Sequence, residues 1–466
     1  MCDRRSTAGA LAILCLAAAC GREAPPVSRV PGAPRSVVLR NVRVFDAPRA
    51  ALADGLRDVL VRDGRIEAVA PPGLVARGVA EIDGRGGTLL PGLVDVHTHT
   101  GSSSFPPWRV RFPDVAQNLA AFLYAGVTTV LDLGSLTPEV FRERSRIATG
   151  ARLGPRLYAA GPVFTAPGGH PAEVLRAWLP WYLRWYVLPR ATREVAGPDE
   201  ARRAIAALLP ERPDVLKLAI DAGTGDVPRL APETIAAIAA AGHAAGVRSI
   251  AHIGSSAEAI DAVRGGVDAL AHAPWREEVS EEAVRVIAAA RVPVVATLAV
   301  WDLAGTPRTR ESDFLPIERE VAPREVVAAL LAPPPPVDEA TAAFLRAAAA
   351  AHDARRANVV KLRAAGVLVL AGSDACNPGD LPGAGLHLEL TKLVEAGVPP
   401  GEALRAATWE NARFIGGDGA DFGEVAAGKR ADLVLVDGDP VARIGDLGKI
   451  VQVVLDGTVL ERRPHP

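Results

Sequence analysis

The sequence predicts an α/β fold: a (β/α)8 TIM-like barrel with a β-sandwich domain formed from both terminal segments. Three observations predict it. Eight short apolar runs alternate with Ala-rich helical stretches through the middle of the chain, the pattern of parallel strands joined by crossover helices. Strand-like runs broken by tight turns precede the first of these and follow the last, and two terminal segments of one character fit a single sandwich. The 466 residues suffice for a barrel of about 250 residues plus a smaller domain.

Taken in order, residues 1–20 read as an export signal. Arg4 and Arg5 precede an apolar stretch from Ala8 to Ala19, too short to span a bilayer, which closes on Ala17-Ala18-Ala19-Cys20. The pattern resembles a bacterial lipoprotein signal in which Cys20 becomes the lipidated first residue, although Ala17 stands where Leu is more usual; an ordinary signal peptide cut nearby is the alternative. Either implies export, and the lipidated form implies anchoring to a membrane of the bacterial periplasm or cell envelope. Residues 21–35, rich in Pro, Arg and small side chains, read as a tether. Of the four cysteines, Cys2 and Cys15 fall in the removed part and Cys20 would be acylated, so Cys376 has no partner for an intramolecular disulfide.

Residues 36–90 and 415–462 make up the predicted sandwich. Its runs are Ser36 to Phe45, Leu56 to Val69, Glu81 to Leu90, Asp432 to Val436 and Ile450 to Leu460, with turns at Asp63-Gly64, Asp83-Gly84 and Asp456-Gly457. The barrel occupies 91–414. Its strands are predicted at Leu93 to His97, Val127 to Asp132, Arg156 to Ala160, Val215 to Ile220, Arg248 to His252, Ala269 to His272, Val292 to Thr297 and Val367 to Ala371. With 52 basic and 54 acidic side chains, a net charge of -2 and no basic stripe, nucleic acid is excluded as a partner, while a homo-oligomer stays open.

Barrel active sites form at the C-terminal strand ends. There lie His97 and His99, Lys217, His252, His272 and Asp374. Residues i and i+2 of a strand share a face, so His97 and His99 can reach one divalent metal, where the bland reading is a structural pair. His252 and His272 stand one strand-helix-strand unit apart; each alone could satisfy a core hydrogen bond. Asp374 could cap a turn, or bind metal and take a proton from water. Lys217 is a charge inside the apolar run Val215-Leu216-Lys217-Leu218-Ala219-Ile220, costly if unpaired. Its head either snorkels to a carboxylate or solvent, or, as a neutral amine, captures carbon dioxide to become an anionic carbamate that bridges two metals.

Several signatures then coincide: Leu90-Pro91-Gly92-Leu93-Val94-Asp95-Val96-His97-Thr98-His99, Ala125-Gly126-Val127-Thr128-Thr129-Val130, Gly266-Val267-Asp268-Ala269-Leu270-Ala271-His272, Ala371-Gly372-Ser373-Asp374, the run from Glu402 to Asn411, and Ala427-Gly428-Lys429-Arg430-Ala431-Asp432-Leu433. From Val37 to Leu460 the chain resembles the amidohydrolase superfamily, within it the imidazolonepropionase-like hydrolases and Xaa-Pro dipeptidases. The resemblance implies that His97, His99 and Asp374 bind the buried metal, that His252 and His272 bind a second, that Lys217 is the N6-carboxylated bridge and that Asp374 is the general base. With Lys217 unmodified, it implies a mononuclear site in which His252 binds the one metal and His272 contacts substrate. Zinc suits imidazole and carboxylate ligands first, with manganese or cobalt as alternatives.

His170, after Ala166-Pro167-Gly168-Gly169, resembles the family's Gly-Gly-His, implying a group that orients substrate or stabilises an oxyanion; a surface-loop His is the alternative. His387 is a candidate substrate contact or a helix residue supporting the Asp374 loop, and Cys376 a wall residue. The segment Trp178 to Tyr186 holds three of the seven tryptophans and two of the four tyrosines, and reads as a lid, a membrane-interface contact or a packed helix. Trp301 to Val337 reads as a long loop with a stiff segment at Pro333 to Pro336. The implied activity is metal-dependent hydrolysis of a small-molecule amide, a dipeptide or N-acyl amino acid. The alternatives are a mononuclear cyclic amidohydrolase, lactonase or deaminase, and a non-catalytic binding lipoprotein, against which the retention of every implied ligand argues.

Overall fold

The computed structural model describes residues 26–30, 32–109, 111–223 and 227–465. The predicted export signal, Cys20 and the first part of the tether lie outside the described residues. The described part of that tether is pinned: Val27–Ser28 pairs antiparallel with Glu461–Arg462, and Val27 is buried.

The strand Val37–Asp46 organises the terminal sheet. It pairs antiparallel with Arg57–Arg62 and parallel with Ala80–Asp83 and Thr88–Pro91. Thr88–Pro91 in turn pairs with Leu433–Val436, which leads on to Ile450–Leu455 and Thr458–Val459, so both ends of the chain share one nine-stranded sheet. Two of the predicted runs are each split into a hairpin. Asp63-Gly64 and Asp456-Gly457 carry positive φ at both residues (51° and 84°, 50° and 77°), the conformation a two-residue turn between antiparallel strands requires. Val37, Leu39, Val59, Ile66, Leu89, Leu433 and Val454 form an apolar cluster of their own beneath this sheet.

Between the terminal strands, parallel strands alternate with helices. Arg156–Ala159, Val127–Asp132 and Leu93–Thr98 form one sheet. Thr192–Glu194, Val163–Thr165, Val215–Ala219, Arg248–His252, Ala269–Ala271, Val294–Val295 and Val369–Leu370 form the other. Backbone bonds join the two at either side: Asp214 N donates to Ala159 O at 2.9 Å, and Asp374 N donates to His97 O at 2.7 Å. The strands are buried on both faces, as their continuous apolar runs require once helices cover them. Val163–Thr165 and Thr192–Glu194 were not predicted, because three residues are too few to display a period of two.

The expected loop from Trp301 to Val337 is instead largely helical, with Leu298–Gly305, Pro316–Val321 and Arg324–Leu331 burying Val321, Val326 and Ala329. Pro316 opens its helix at the position where a missing N–H costs nothing. The aromatic segment forms the helices Ala172–Trp178 and Trp181–Ala191, with Trp181 79% and Trp185 73% exposed. Among the described residues no helix is long and apolar enough to cross a membrane.

Candidate metal centre

The strand Leu93–Thr98 delivers His97, which is buried, and the loop after Val369–Leu370 delivers Asp374 opposite it. Gly372 permits the approach: a Cβ there would lie 2.7 Å from His97 Cβ. His97 Nε2 lies 3.3 Å and His99 Nε2 2.9 Å from the same Asp374 Oδ1. Lys217 Nζ, on the strand Val215–Ala219, is 3.4 Å from His97 Nε2. His272 Nε2 is 3.9 Å from Asp374 Oδ2 and 2.7 Å from His252 Nδ1. His170 lies beside His252, with ring centroids 4.7 Å apart, and its Nδ1 is 2.9 Å from Glu173 Oε1.

His387 does not join them. Its Nε2 donates to Ala125 O at 2.8 Å, just ahead of the strand Val127–Asp132, which places it as a buried brace at the opposite end of the strands. Cys376 is fully buried.

Burial holds His97 and His272 well below the usual histidine range, reinforced by the positive charge of Lys217 and by neighbouring histidines. Burial likewise lowers His252 to about 4, although Asp221 opposes it. For His99 burial acts in the same sense, but the hydrogen bond to Asp374 and its charge prevail and raise it. Burial brings Lys217 down to about 7, with Asp374 opposing. Burial thus favours the neutral form of His97, His252 and His272, which leaves nitrogen lone pairs beside the Asp374 carboxylate. Ligand atoms of His97, His272 and Asp374 lie within 4.8 Å of one another, a spacing and donor chemistry that fit a divalent cation of the zinc type.

Other residues escaped the sequence reading. Asp95, fully buried, accepts from His97 N at 3.1 Å and Ser373 N at 3.0 Å through Oδ1, and from Ser373 Oγ at 2.5 Å through Oδ2. It therefore ties the His97 strand to the Asp374 loop. Burial, partly offset by those hydrogen bonds, pushes its carboxyl up to about 7. Asp132 Oδ2 accepts from Thr100 N at 2.7 Å and Ser135 Oγ at 2.7 Å and so fixes the segment after His99. Asn411 Nδ2 donates to Val94 O and Ala371 O, both at 2.7 Å. Thr297 Oγ1 is 2.5 Å from His272 Nδ1, and Asp221 Oδ2 is 3.3 Å from His252 Nε2. Asp95 and Asp132 had a readable signal, a carboxylate inside an apolar strand run, and Asn411 closes one of the family-like signatures; Thr297 had none.

Residues 88–460 match the model of the amidohydrolase family. A dihydroorotase from Streptococcus pneumoniae is 33% identical over 104 residues, 22% of this chain and 23% of that protein. An imidazolonepropionase from Aromatoleum aromaticum is 51% identical over 57 residues, 12% of this chain and 13% of that protein. The matches thus span less than a quarter of those relatives' own length. Among solved structures, a prolidase complexed with N-methylphosphonate-L-proline superposes with a TM-score of 0.73 at 24% identity, covering 92% of this chain and 100% of the other. A putative prolidase from Bifidobacterium longum gives 0.72 at 25% identity, covering 93% and 96%. An ochratoxinase from A. niger gives 0.68 at 20% identity, covering 92% and 96%. These structural likenesses are of fold.

Proposed function

The chain belongs to the amidohydrolase family, and from that premise we propose that it hydrolyses the amide bond of a dipeptide or N-acyl amino acid at a centre for two divalent cations bridged by a carboxylated Lys217. Members of the family are hydrolases acting on carbon–nitrogen bonds. The observation that carries the proposal is the convergence of His97, His99, Lys217, His252, His272 and Asp374 at the C-terminal ends of their strands. A closed (β/α)8 barrel is the reading that the backbone bonds Asp214 to Ala159 and Asp374 to His97 support, since they join the two parallel sheets at both sides. The prolidase-like fold neighbours favour a dipeptide.

His97, His99 and Asp374 would hold one cation and His252 and His272 the other, with zinc preferred over manganese or cobalt. Such cations supply Lewis acidity, which polarises a carbonyl and acidifies water. Lys217 is poised for carboxylation because burial brings its amine down to about 7, so that a neutral nitrogen is available near neutral pH: it attacks the carbon of carbon dioxide and releases one proton. Asp374 takes a proton from the attacking water and returns it to the departing amine. His170, next to His252, orients the carbonyl. The stacked pair Trp275 and Trp301, with centroids 3.9 Å apart and Trp301 5.3 Å from the His272 ring, walls the cluster against bulk water.

A second reading, hydrolysis of a cyclic amide, draws on the short likenesses to a dihydroorotase and an imidazolonepropionase. We propose export and lipid anchoring at Cys20 on the sequence pattern alone. The test of function is turnover by chelator-stripped protein reloaded with zinc, manganese or cobalt, on dipeptides including Xaa-Pro, N-acyl amino acids, cyclic amides and lactones. Metal-dependent cleavage of a linear amide supports the proposal. Cleavage confined to cyclic substrates would replace it with the second reading, and no metal-dependent turnover on any of them would end both.

A further inference from the structure

We infer that Asp221 is a positioning residue that fixes the His252 ring for the second cation, an inference that rests on the two-cation reading above. His252 Nδ1 and His272 Nε2 face each other at 2.7 Å, and each ring is held from behind by a different partner. Thr297 Oγ1 gives its own proton to Ala296 O at 2.9 Å, so it accepts from His272 Nδ1 at 2.5 Å. That leaves a lone pair on His272 Nε2. Asp221 Oδ2, 3.3 Å from His252 Nε2, is a carboxylate oxygen that only accepts, so the proton sits on Nε2 and the lone pair on Nδ1. A neutral imidazole has one N–H. Both are used at the rear, and a hydrogen bond between the facing nitrogens would require one ring to abandon its partner. Two lone pairs left on neighbouring nitrogens are donors that one cation can take up.

Asp221 is built for the task. It is buried, and its other lone pairs are occupied: Gly223 N donates to Oδ1 at 2.8 Å, Arg276 pairs with Oδ1, and Trp275 Nε1 donates to Oδ2 at 3.1 Å. It is therefore held ionised and too engaged to ligate metal itself. Strand register sets the pairing, because Ala219 lies opposite His252 and Ile220 N donates to His252 O at 3.0 Å, bringing the next residue, Asp221, alongside the ring. A carboxylate behind a ligating histidine fixes its tautomer and raises its basicity, and loss of such a partner typically weakens metal binding by about 10- to 100-fold.

The experiment is zinc binding to the full chain by competition with a chromophoric chelator, comparing the parent with Asp221→Ala, which removes the acceptor behind His252 Nε2. We expect two equivalents in the parent, and in the variant an unchanged first equivalent with the second weakened by at least about 10-fold. Two equivalents bound by both proteins with equal affinities overturn the inference alone. One equivalent in the parent overturns the two-cation reading and the inference with it. Nitrogen-15 shifts of the metal-free parent provide a test independent of the variant's folding: His252 protonated at Nε2 upholds the inference, and His252 protonated at Nδ1 overturns it.

Discussion

Buried histidines at the two ends of the parallel strands find different partners. At the end where the strands begin, His387 gives its proton to Ala125 O, while Asp432 accepts from Asp456 N at 2.7 Å and from Arg156 at 3.0 Å. At the end where they finish, His97 Nδ1 has no hydrogen-bond partner among the described residues, the Lys217 amine meets an imidazole nitrogen at 3.4 Å, and two imidazole nitrogens face each other. Buried polar groups that hold a fold are satisfied from within the chain, so a cluster left short of partners marks a place that something from outside completes. Substitutions at the finishing end should therefore cost rate and spare stability, and those at the beginning end should do the reverse.

The largest expected effect is at Asp374. Asp374→Asn should lower the rate at saturating zinc by at least about 100-fold while the folded protein is retained, and His97→Ala should do likewise. A near-normal rate in purified Asp374→Asn would remove the general-base role and, with it, the sharpest contrast between the two ends.

Much of this end was legible in the sequence, for identifiable reasons. His97 and His99 announce themselves because a strand's period of two forces them onto one face, and Lys217 because a charge in an apolar run has no cheap explanation. Asp95 was equally legible in principle, two residues before His97 in the same run, but its role depends on Ser373, 278 residues away, which no local pattern reveals. Asp221 and Thr297 act only through the histidines they touch. Of the two readings of His387, the hydrogen-bonded helix histidine matches its place in the helix Ala384–Glu395, although the partner is Ala125 O and not the Asp374 loop, a pairing 262 residues apart that no local pattern reveals. The Trp301 to Val337 stretch was misread because its prolines and charges resemble those of a loop, and only packing shows that Pro316 starts a helix.

Next in size is Lys217. If it carries a carbamate, Lys217→Ala should lose one of two metal equivalents and most of the rate, and added short carboxylates should restore part of the activity by supplying the missing oxygens. Elemental analysis decides: two equivalents retained in Lys217→Ala would contradict a bridging role.

At the beginning end, His387 offers a stability test with a definite sign. Burial lowers it to about 4, against about 6.5 in an unfolded chain. Between those values the unfolded chain binds the proton that the folded one refuses. The stabilising contribution is therefore fully present above about pH 6.5 and is lost as pH falls toward about 4, a loss of about 3 kcal/mol. His387→Gln keeps an N–H for Ala125 O and lacks the titration. Urea unfolding at pH 7 and pH 4.5 should show the parent losing more stability than His387→Gln, with kcat/KM at pH 7 alike within about twofold. A tenfold drop in kcat/KM would instead assign His387 to the finishing end.

The smallest effect concerns the aromatic helix and bears on which end meets a membrane. Trp181–Ala191 packs at the finishing end, where Thr137 N donates to Arg190 O at 3.0 Å and Tyr186 donates to Glu139 at 2.9 Å. Val27–Ser28 lies at the other, since its partner residue Arg462 donates to Tyr124 O at 2.9 Å, just before the strand Val127–Asp132 begins. A strand of that length separates the two ends by about 20 Å. If Cys20 carries a lipid, the pairing of Val27–Ser28 favours the beginning end as the one nearer the bilayer and argues against an interfacial role for Trp181 and Trp185. Cys20→Ser should release most of the protein into the soluble exported fraction with its hydrolase activity intact. The double variant Trp181→Ser, Trp185→Ser should leave membrane retention unchanged and shift stability by less than about 0.5 kcal/mol, as befits exposed side chains. If the tryptophan variant instead halves the membrane-bound fraction while Cys20→Ser does not, the finishing end is the one that meets the membrane, and the orientation argued from Val27 is wrong.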